Sequence, residues 1–161
     1  MSSSPYLLYL HGFRSSPRSF KARVVQEQLE QAGLGERLIC PQLPASPKAA
    51  IDLALALVER LAPANLAIVG SSLGGFYATW LAERLGVRAA VINPSVDPTR
   101  NLSKHVGTTT AWHSDEPFEF LPEYVDELVA LRTANITRPE RYFLLAATGD
   151  EVLDYRDMVA H

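Results

Sequence analysis

The chain has 161 residues, 47% of them hydrophobic and 20% charged, which is the length and composition of one globular domain with its own core. The formal net charge is −3, the isoelectric point is near 5.8, and the sequence has no run of Lys or Arg. It therefore lacks the basic patch with which proteins bind nucleic acids, and we expect no nucleic-acid partner. No stretch reaches the ~20 apolar residues that span a bilayer, and the N-terminus lacks the basic segment of a signal peptide, so we expect a cytoplasmic protein without a membrane partner.

Short apolar runs alternate along the chain with segments of helical periodicity. The apolar runs, which predict buried strands, cover residues 6–10, 37–40, 66–69, 87–92 and 142–147. Helices are predicted between them, because Ser16-Pro17 and Ser46-Pro47 are typical of N-caps followed by proline and Gly86 is typical of a C-terminal cap. Continuous apolar strands separated by helices predict an α/β fold, a three-layer sandwich with a mainly parallel sheet. Cys40, the only cysteine, is expected to be buried and inert.

Residues 94–139 interrupt this alternation with five prolines. Loops of this length inside a compact domain are often functional, so we expect a lid-like excursion with one helix near residues 123–133 that roofs the site. Trp112 is assigned to substrate binding, and Phe118 and Phe120 are further candidates for the wall of the same pocket.

A serine motif, Gly70-Ser71-Ser72-Leu73-Gly74, stands between a strand pattern and a helix pattern. In this G-x-S-x-G arrangement a serine lies on a sharp strand-to-helix turn, and small neighbours leave room for the chain to reverse. Ser72 is therefore the candidate nucleophile. The N–H groups of Leu73 and of Phe13, which follows the first strand, are the candidate oxyanion donors. A glycine-rich turn that only packs a helix on a sheet is the structural alternative.

Two further groups complete the candidate site. His11 and Gly12, after the first strand, are assigned to substrate binding, and a positioning or hydrogen-bonding role is favoured for His11 over that of general base. Asp150, after the fifth strand, is the candidate acid, because an acidic residue at the carboxyl end of a parallel strand faces the crevice where ligands bind. Asp154 is the second choice, Glu151 is expected to face solvent, and a purely capping function of Asp150 stays open.

The general base is the missing component. With serine before aspartate, the histidine of a triad is expected last in the chain. The only histidine after Asp150 is His161, which a helix of ~1.5 Å rise per residue would carry away from the strand end. His105 and His113 precede the acid and suit surface or lid positions.

Seven short strings carry a family resemblance. They are YLHGF (9–13), SSPRS (15–19), PQLP (41–44), IVGSSLGG (68–75), YATWL (77–81), NP (93–94) and TGDEVLDYR (148–156). Together they resemble the YqiA-type small bacterial esterases of the α/β-hydrolase superfamily, over nearly the whole chain. The resemblance implies an α/β-hydrolase fold with Ser72 as nucleophile and Asp150 as acid. Members of that family continue into a further strand and a turn that carries the histidine, so we expect a shortened, catalytically impaired form that lacks the last strand and helix.

The complete protein is then expected to be a serine esterase or thioesterase that works through an acyl-serine intermediate without a metal or other cofactor. The resemblance implies a small ester or thioester partner with a short acyl chain, and the oligomeric state is left open. Two alternatives stay open: a hydrolase fold that serves as a binding or regulatory module, and a lactonase or peptidase of the same superfamily, since fold and triad do not fix the substrate.

Overall fold

The structure, a computed structural model, describes residues 4–161. Its strands are β1 (Tyr6–Leu10), β2 (Leu38–Ile39), β3 (Leu66–Ser71), β4 (Arg88–Ile92), β5 (Gly107–Thr110), β6 (Pro117–Phe120) and β7 (Tyr142–Leu145). Its helices are α1 (Phe20–Gln31), α2 (Pro47–Val58), α3 (Leu73–Leu85), α4 (Pro98–Leu102), α5 (Pro122–Ala130) and α6 (Tyr155–Ala160). Five strands form a parallel sheet in the order β2-β1-β3-β4-β7, and β5 pairs with β6 in a separate antiparallel hairpin. The parallel sheet that the sequence predicts is confirmed.

Two of the three predicted helix caps are confirmed, and the third is wrong. Ser46 caps α2, with its side chain accepting a hydrogen bond from the backbone, and Gly86 ends α3 with a φ of +69°, as predicted. The predicted cap of α1 at Ser16 is wrong, because Ser19 caps that helix. The Ser16 hydroxyl accepts from the N–H of Arg18 and its carbonyl from that of Ser19, so residues 16–19 form a turn before the helix begins.

The two faces of the sheet are covered to different extents. Residues that are in register on parallel strands share a face, since side chains alternate along each strand. The face with Leu8, Ile68 and Ala89 is fully buried, within a core to which α2, α3 and α5 contribute. On the other face Tyr9 is buried, whereas Phe143, at the β7 end, is 67% exposed.

Residues 94–139 contain the predicted helix, which is α5, and also α4 and the β5–β6 hairpin, which the sequence pattern did not indicate. This excursion contributes to the core, because Phe120 and Leu128 are completely buried. The Glu127 carboxylate holds α5 against the start of α2, since it accepts hydrogen bonds from the Ser46 hydroxyl at 2.7 Å and the Lys48 N–H at 2.9 Å. The longest helix in the described part of the chain, α3, has 13 residues, short of the ~20 that a membrane-spanning helix needs.

Candidate active site

Ser72 lies at the turn between the end of β3 and the start of α3. Its φ of +56° and ψ of −119° are a conformation that side chains other than glycine rarely adopt. Strain of this kind costs about 1–3 kcal/mol and persists where the surrounding structure enforces it, often at active sites. The Ser72 side chain is half-buried, whereas that of Ser71 is buried at the end of the strand.

The glycines of the motif are required by close backbone contacts. A Cβ on Gly70 would lie 2.1 Å from the Gly74 carbonyl oxygen, and one on Gly74 would lie 1.9 Å from that of Leu10. A Cβ on Gly75 would lie 2.7 Å from Pro94. The turn therefore packs directly against the end of β1 and the segment after β4, which fixes the position of Ser72.

Two backbone N–H groups next to Ser72 are available as donors. Among the hydrogen bonds of the described residues, neither the N–H of Phe13 nor that of Leu73 donates to a protein acceptor. Phe13 and Leu73 line the same small cavity. A Cβ on Gly12 would lie 3.8 Å from the Ser72 Oγ, so the β1 loop passes directly beside the hydroxyl. Donors in this arrangement can receive the negative charge of an oxyanion.

The His11 ring is buried beneath this loop, with 4% of the residue exposed. Its Nδ1 lies 2.9 Å from the Gly12 carbonyl oxygen, and its Nε2 accepts from the Leu43 N–H at 2.9 Å. Burial lowers the pKa of His11 below its ordinary value, although the contact with the Gly12 carbonyl raises it in part. Both ring nitrogens have protein partners, so the ring joins the loop after β1 to the loop after β2.

The excursion forms one wall of a cavity of about 420 Å³ that opens between the hairpin and the loops after β1 and β2. Trp112 and Phe118 line it, and Phe118 also lines the small cavity beside Leu73, so the two spaces adjoin. Trp112 is 58% exposed and stacks against the guanidinium of Arg14, 4.1 Å from the ring centroid. Phe120 is a core residue, so its expected position in a substrate pocket is wrong; its ring packs edge-on against Phe13, with 5.3 Å between centroids.

Asp150 follows β7 and lies at the carboxyl edge of the sheet, as does Ser72 after β3. Its Oδ1 accepts hydrogen bonds from the N–H groups of Val152 and Leu153, at 2.8 and 2.9 Å, and closes a turn. Asp154, the second choice for the acid, caps α6 by accepting from the Arg156 N–H. The Asp150 carboxylate is thus held by its own loop through one oxygen.

The remaining histidines lie apart from this arrangement of bonds. Within residues 4–161, no hydrogen bond joins a histidine to Ser72 or Asp150. The His105 ring packs on Phe13, with 5.7 Å between centroids, and His161 lines a different cavity, next to α6. Among the described residues there is also no cluster of three or more His, Cys, Asp or Glu side chains suited to a metal ion.

Sequence reasoning missed the residues after β4 that support the turn. The Ser95 N–H donates to the Ser72 carbonyl at 3.0 Å, and the Ser72 N–H donates to the Ile92 carbonyl at 3.0 Å. Asn93, with a φ of +41°, accepts from the Ala147 N–H through its side chain and so ties the ends of β4 and β7 together. Asn-Pro after an apolar run is a turn signal, and it was the only indication of these contacts.

Solved structures with the same chain path identify the fold. A protein of Agrobacterium vitis S4 superposes with a TM-score of 0.76 at 22% identity, covering 98% of this chain and 75% of the other. The Paleococcus ferrophilus monoacylglycerol lipase gives 0.69 at 15% identity, with 97% and 79% covered. The mouse alpha/beta hydrolase domain-containing protein 10 gives 0.65 at 16% identity, with 99% and 75% covered. The fold is that of the α/β hydrolases, as the sequence analysis expected.

Comparison of the sequence with known families gives a match over almost its whole length. The model of the family described as "Uncharacterised protein family (UPF0227)" matches residues 6–161, a range that includes the serine turn, the β1 loop and Asp150. The resemblance to the YqiA-type proteins is thereby confirmed. The chain belongs to the family UPF0227, within the α/β-hydrolase fold.

Proposed function

We propose that this protein is a serine hydrolase that cleaves carboxylic esters or thioesters through an acyl-serine intermediate. The observation that carries the proposal is the conformation of Ser72, a strained serine on a strand-to-helix turn with two unpaired N–H groups beside it. Strain of this kind marks functional positions when the surrounding packing enforces it, as Gly70 and Gly74 do here.

In the proposed reaction the Ser72 Oγ attacks the carbonyl carbon while a base takes its proton. The carbonyl oxygen becomes an oxyanion that accepts hydrogen bonds from the N–H groups of Phe13 and Leu73. Collapse expels the alcohol or thiol, which receives the proton from the base, and leaves the acyl group on Ser72. Water, deprotonated by the same base, then releases the acid and restores the serine.

Asp150 is proposed to hold the base in the correct tautomer. One of its oxygens closes the loop that carries it, and the other has no hydrogen-bond partner among the described residues, so it is available for an imidazole N–H. Among the described residues no histidine is hydrogen-bonded to Ser72 or Asp150, so the proposal assigns the base to no particular residue.

The cavity beside Phe118 and Trp112 supports a small acyl substrate, since it adjoins the oxyanion donors. Pockets that hold drug-sized ligands have volumes of about 300–1,000 Å³, and this one, at about 420 Å³, lies near the lower end. Short acyl chains are therefore the proposed substrates.

Labelling with a fluorophosphonate tests the nucleophile. We expect covalent mass on the tryptic peptide that contains Ser72, and complete loss of it in Ser72→Ala. The matched control is Ser71→Ala, one residue earlier, which keeps the label because the Ser71 side chain is buried in the strand end. Label on Ser71, or equal label in Ser72→Ala, contradicts the proposal.

A substrate panel separates the members of the proposed class. Short esters, thioesters, lactones and peptide amides are offered to the protein and to Ser72→Ala. We expect turnover of esters or thioesters, and its loss in Ser72→Ala, which has no nucleophile to form the acyl intermediate. Preferential turnover of lactones or amides would contradict the assigned substrate class while keeping Ser72 as nucleophile.

A further inference from the structure

His11 is a buried titratable group that the proposed reaction does not use. It follows β1, on the strand side of the loop that carries Phe13. Its ring bridges two loops, because Nδ1 meets the Gly12 carbonyl and Nε2 meets the Leu43 N–H in the loop after β2. The Gln42 amide nitrogen lies 3.2 Å from the same Nε2.

The two backbone partners determine which ring nitrogen carries the proton. A backbone N–H only donates, so the Nε2 opposite Leu43 must be an unprotonated acceptor. A carbonyl oxygen only accepts, so the Nδ1 opposite Gly12 must carry hydrogen. The His11 ring is therefore neutral with its proton on Nδ1, and a second proton on Nε2 would place two donors face to face.

The bond from Nδ1 acts on the peptide that carries the proposed oxyanion donor. The Gly12 carbonyl and the Phe13 N–H belong to one planar trans peptide, in which C=O and N–H point in opposite directions. The same carbonyl also accepts from the Ser15 N–H at 3.2 Å. Two donors on the carbonyl side fix the plane of the peptide and hence the direction of the Phe13 N–H on its other side.

We propose that His11 is a positioning residue that orients the Gly12–Phe13 peptide, so that the Phe13 N–H points at the oxyanion site beside Ser72. This inference rests on the proposed function. It differs from the assignment of His11 to substrate binding, because the ring acts through the peptide and not on the substrate. The Leu43 N–H holds the far side of the ring, which makes the β2 loop part of the support.

Two amide variants separate the two nitrogens, and each serves as the matched control of the other. His11→Asn has an amide nitrogen that can replace Nδ1 as donor to Gly12 but does not reach Leu43. His11→Gln reaches towards Leu43 but leaves the Gly12 carbonyl without its side-chain donor. We expect His11→Asn to keep kcat within about 10-fold, and His11→Gln to lose about 10²-fold in kcat with little change in KM, the cost of one oxyanion donor.

Thermal unfolding midpoints of both variants show whether they fold. A larger kcat loss in His11→Asn than in His11→Gln, or equal kcat in all three folded proteins, overturns the inference. A change confined to KM also overturns it and returns His11 to direct substrate contact.

A second measurement does not depend on activity. Long-range ¹H–¹⁵N NMR of protein labelled at histidine nitrogens reports the tautomer of each ring, and the His11 signals are identified by their absence in His11→Gln. We expect the Nδ1–H tautomer at pH 7.5; the Nε2–H tautomer or an averaged ring overturns the inference. If the wild-type protein takes no label at Ser72 and cleaves no ester, the proposed function fails by itself, and the NMR result still decides the state of His11.

Discussion

Ser72 combines a reactive position with an unfavourable backbone conformation. Its φ of +56° suits glycine, so Ser72→Gly should relieve strain that Ser72→Ala retains. We predict that Ser72→Gly is more stable than Ser72→Ala by about 1 kcal/mol in urea unfolding. At Ser71, in the extended strand, the order should reverse, because glycine there gains nothing from a positive φ. If the alanine variant is more stable than the glycine variant at both positions, the turn is not strained.

His11 should make stability depend on pH, because burial lowers its pKa below the ordinary 6.5. Above pH 6.5 the ring is neutral in both folded and unfolded chains. As the pH falls from 6.5 towards the lowered pKa, only the unfolded chain takes up the proton, so stability decreases by up to about 1.4 kcal/mol per pH unit.

Unfolding free energies between pH 7.5 and 5 measure this effect. We predict a shallower decrease in His11→Asn, which has no imidazole to titrate. An unchanged slope in His11→Asn would assign the decrease to other groups.

Helix α5 is attached to the body of the domain by a contact between elements. The Glu127 carboxylate accepts hydrogen bonds from Ser46 and Lys48 at the start of α2, and Ser46 also caps that helix. We predict that Glu127→Ala destabilises the protein by about 1–2 kcal/mol, since hydrogen bonds to a charged group are worth more than neutral ones. Asp126→Ala, at the exposed neighbouring position, should have little effect.

A double-mutant cycle with Ser46→Ala isolates the contact. We expect the two changes to be less than additive, because Ser46→Ala already removes one of the donors to Glu127. Strict additivity would mean that Glu127 stabilises α5 by another route.

The sheet as a whole is unevenly covered. In register, Val69, Ala90 and Phe143 share the less covered face, where they line a trough of about 330 Å³. Leu145 on the same strand is 53% exposed, and β7 pairs with β4 on one side only within residues 4–161. Apolar strands at an open edge are sites of association.

We predict concentration-dependent self-association through this region. Phe143→Lys should reduce this self-association, because a charge opposes edge-to-edge pairing. Sedimentation velocity over a roughly 100-fold range of protein concentration measures the effect. Phe20→Lys, at a similarly exposed aromatic residue on α1, is the matched control and should leave association unchanged. Equal effects of both changes would mean that the association is not specific to β7.

Local signals were enough for most elements of the main sheet. Each strand is an apolar run bounded by turn residues, and Ser46 and Gly86 end their helices as their chemistry predicts. The sequence did not predict the hairpin at 107–120. Gly107–Thr110 has no alternation of apolar and polar residues, and its pairing with β6 holds it as a strand. The Ser16-Pro17 signal predicts the cap of α1 three residues too early, because residues 16–19 form a turn before the helix that Ser19 caps.

The sequence by itself determined the parallel α/β architecture and the position of Ser72, because apolar runs and the glycines at 70 and 74 act over a few residues. Only the tertiary structure decided which backbone groups the His11 ring meets, that Phe120 is core and that Asn93 joins two strand ends. Those outcomes depend on contacts such as His11 with Leu43, 32 positions apart, and no local pattern encodes which distant backbone group a side chain will meet.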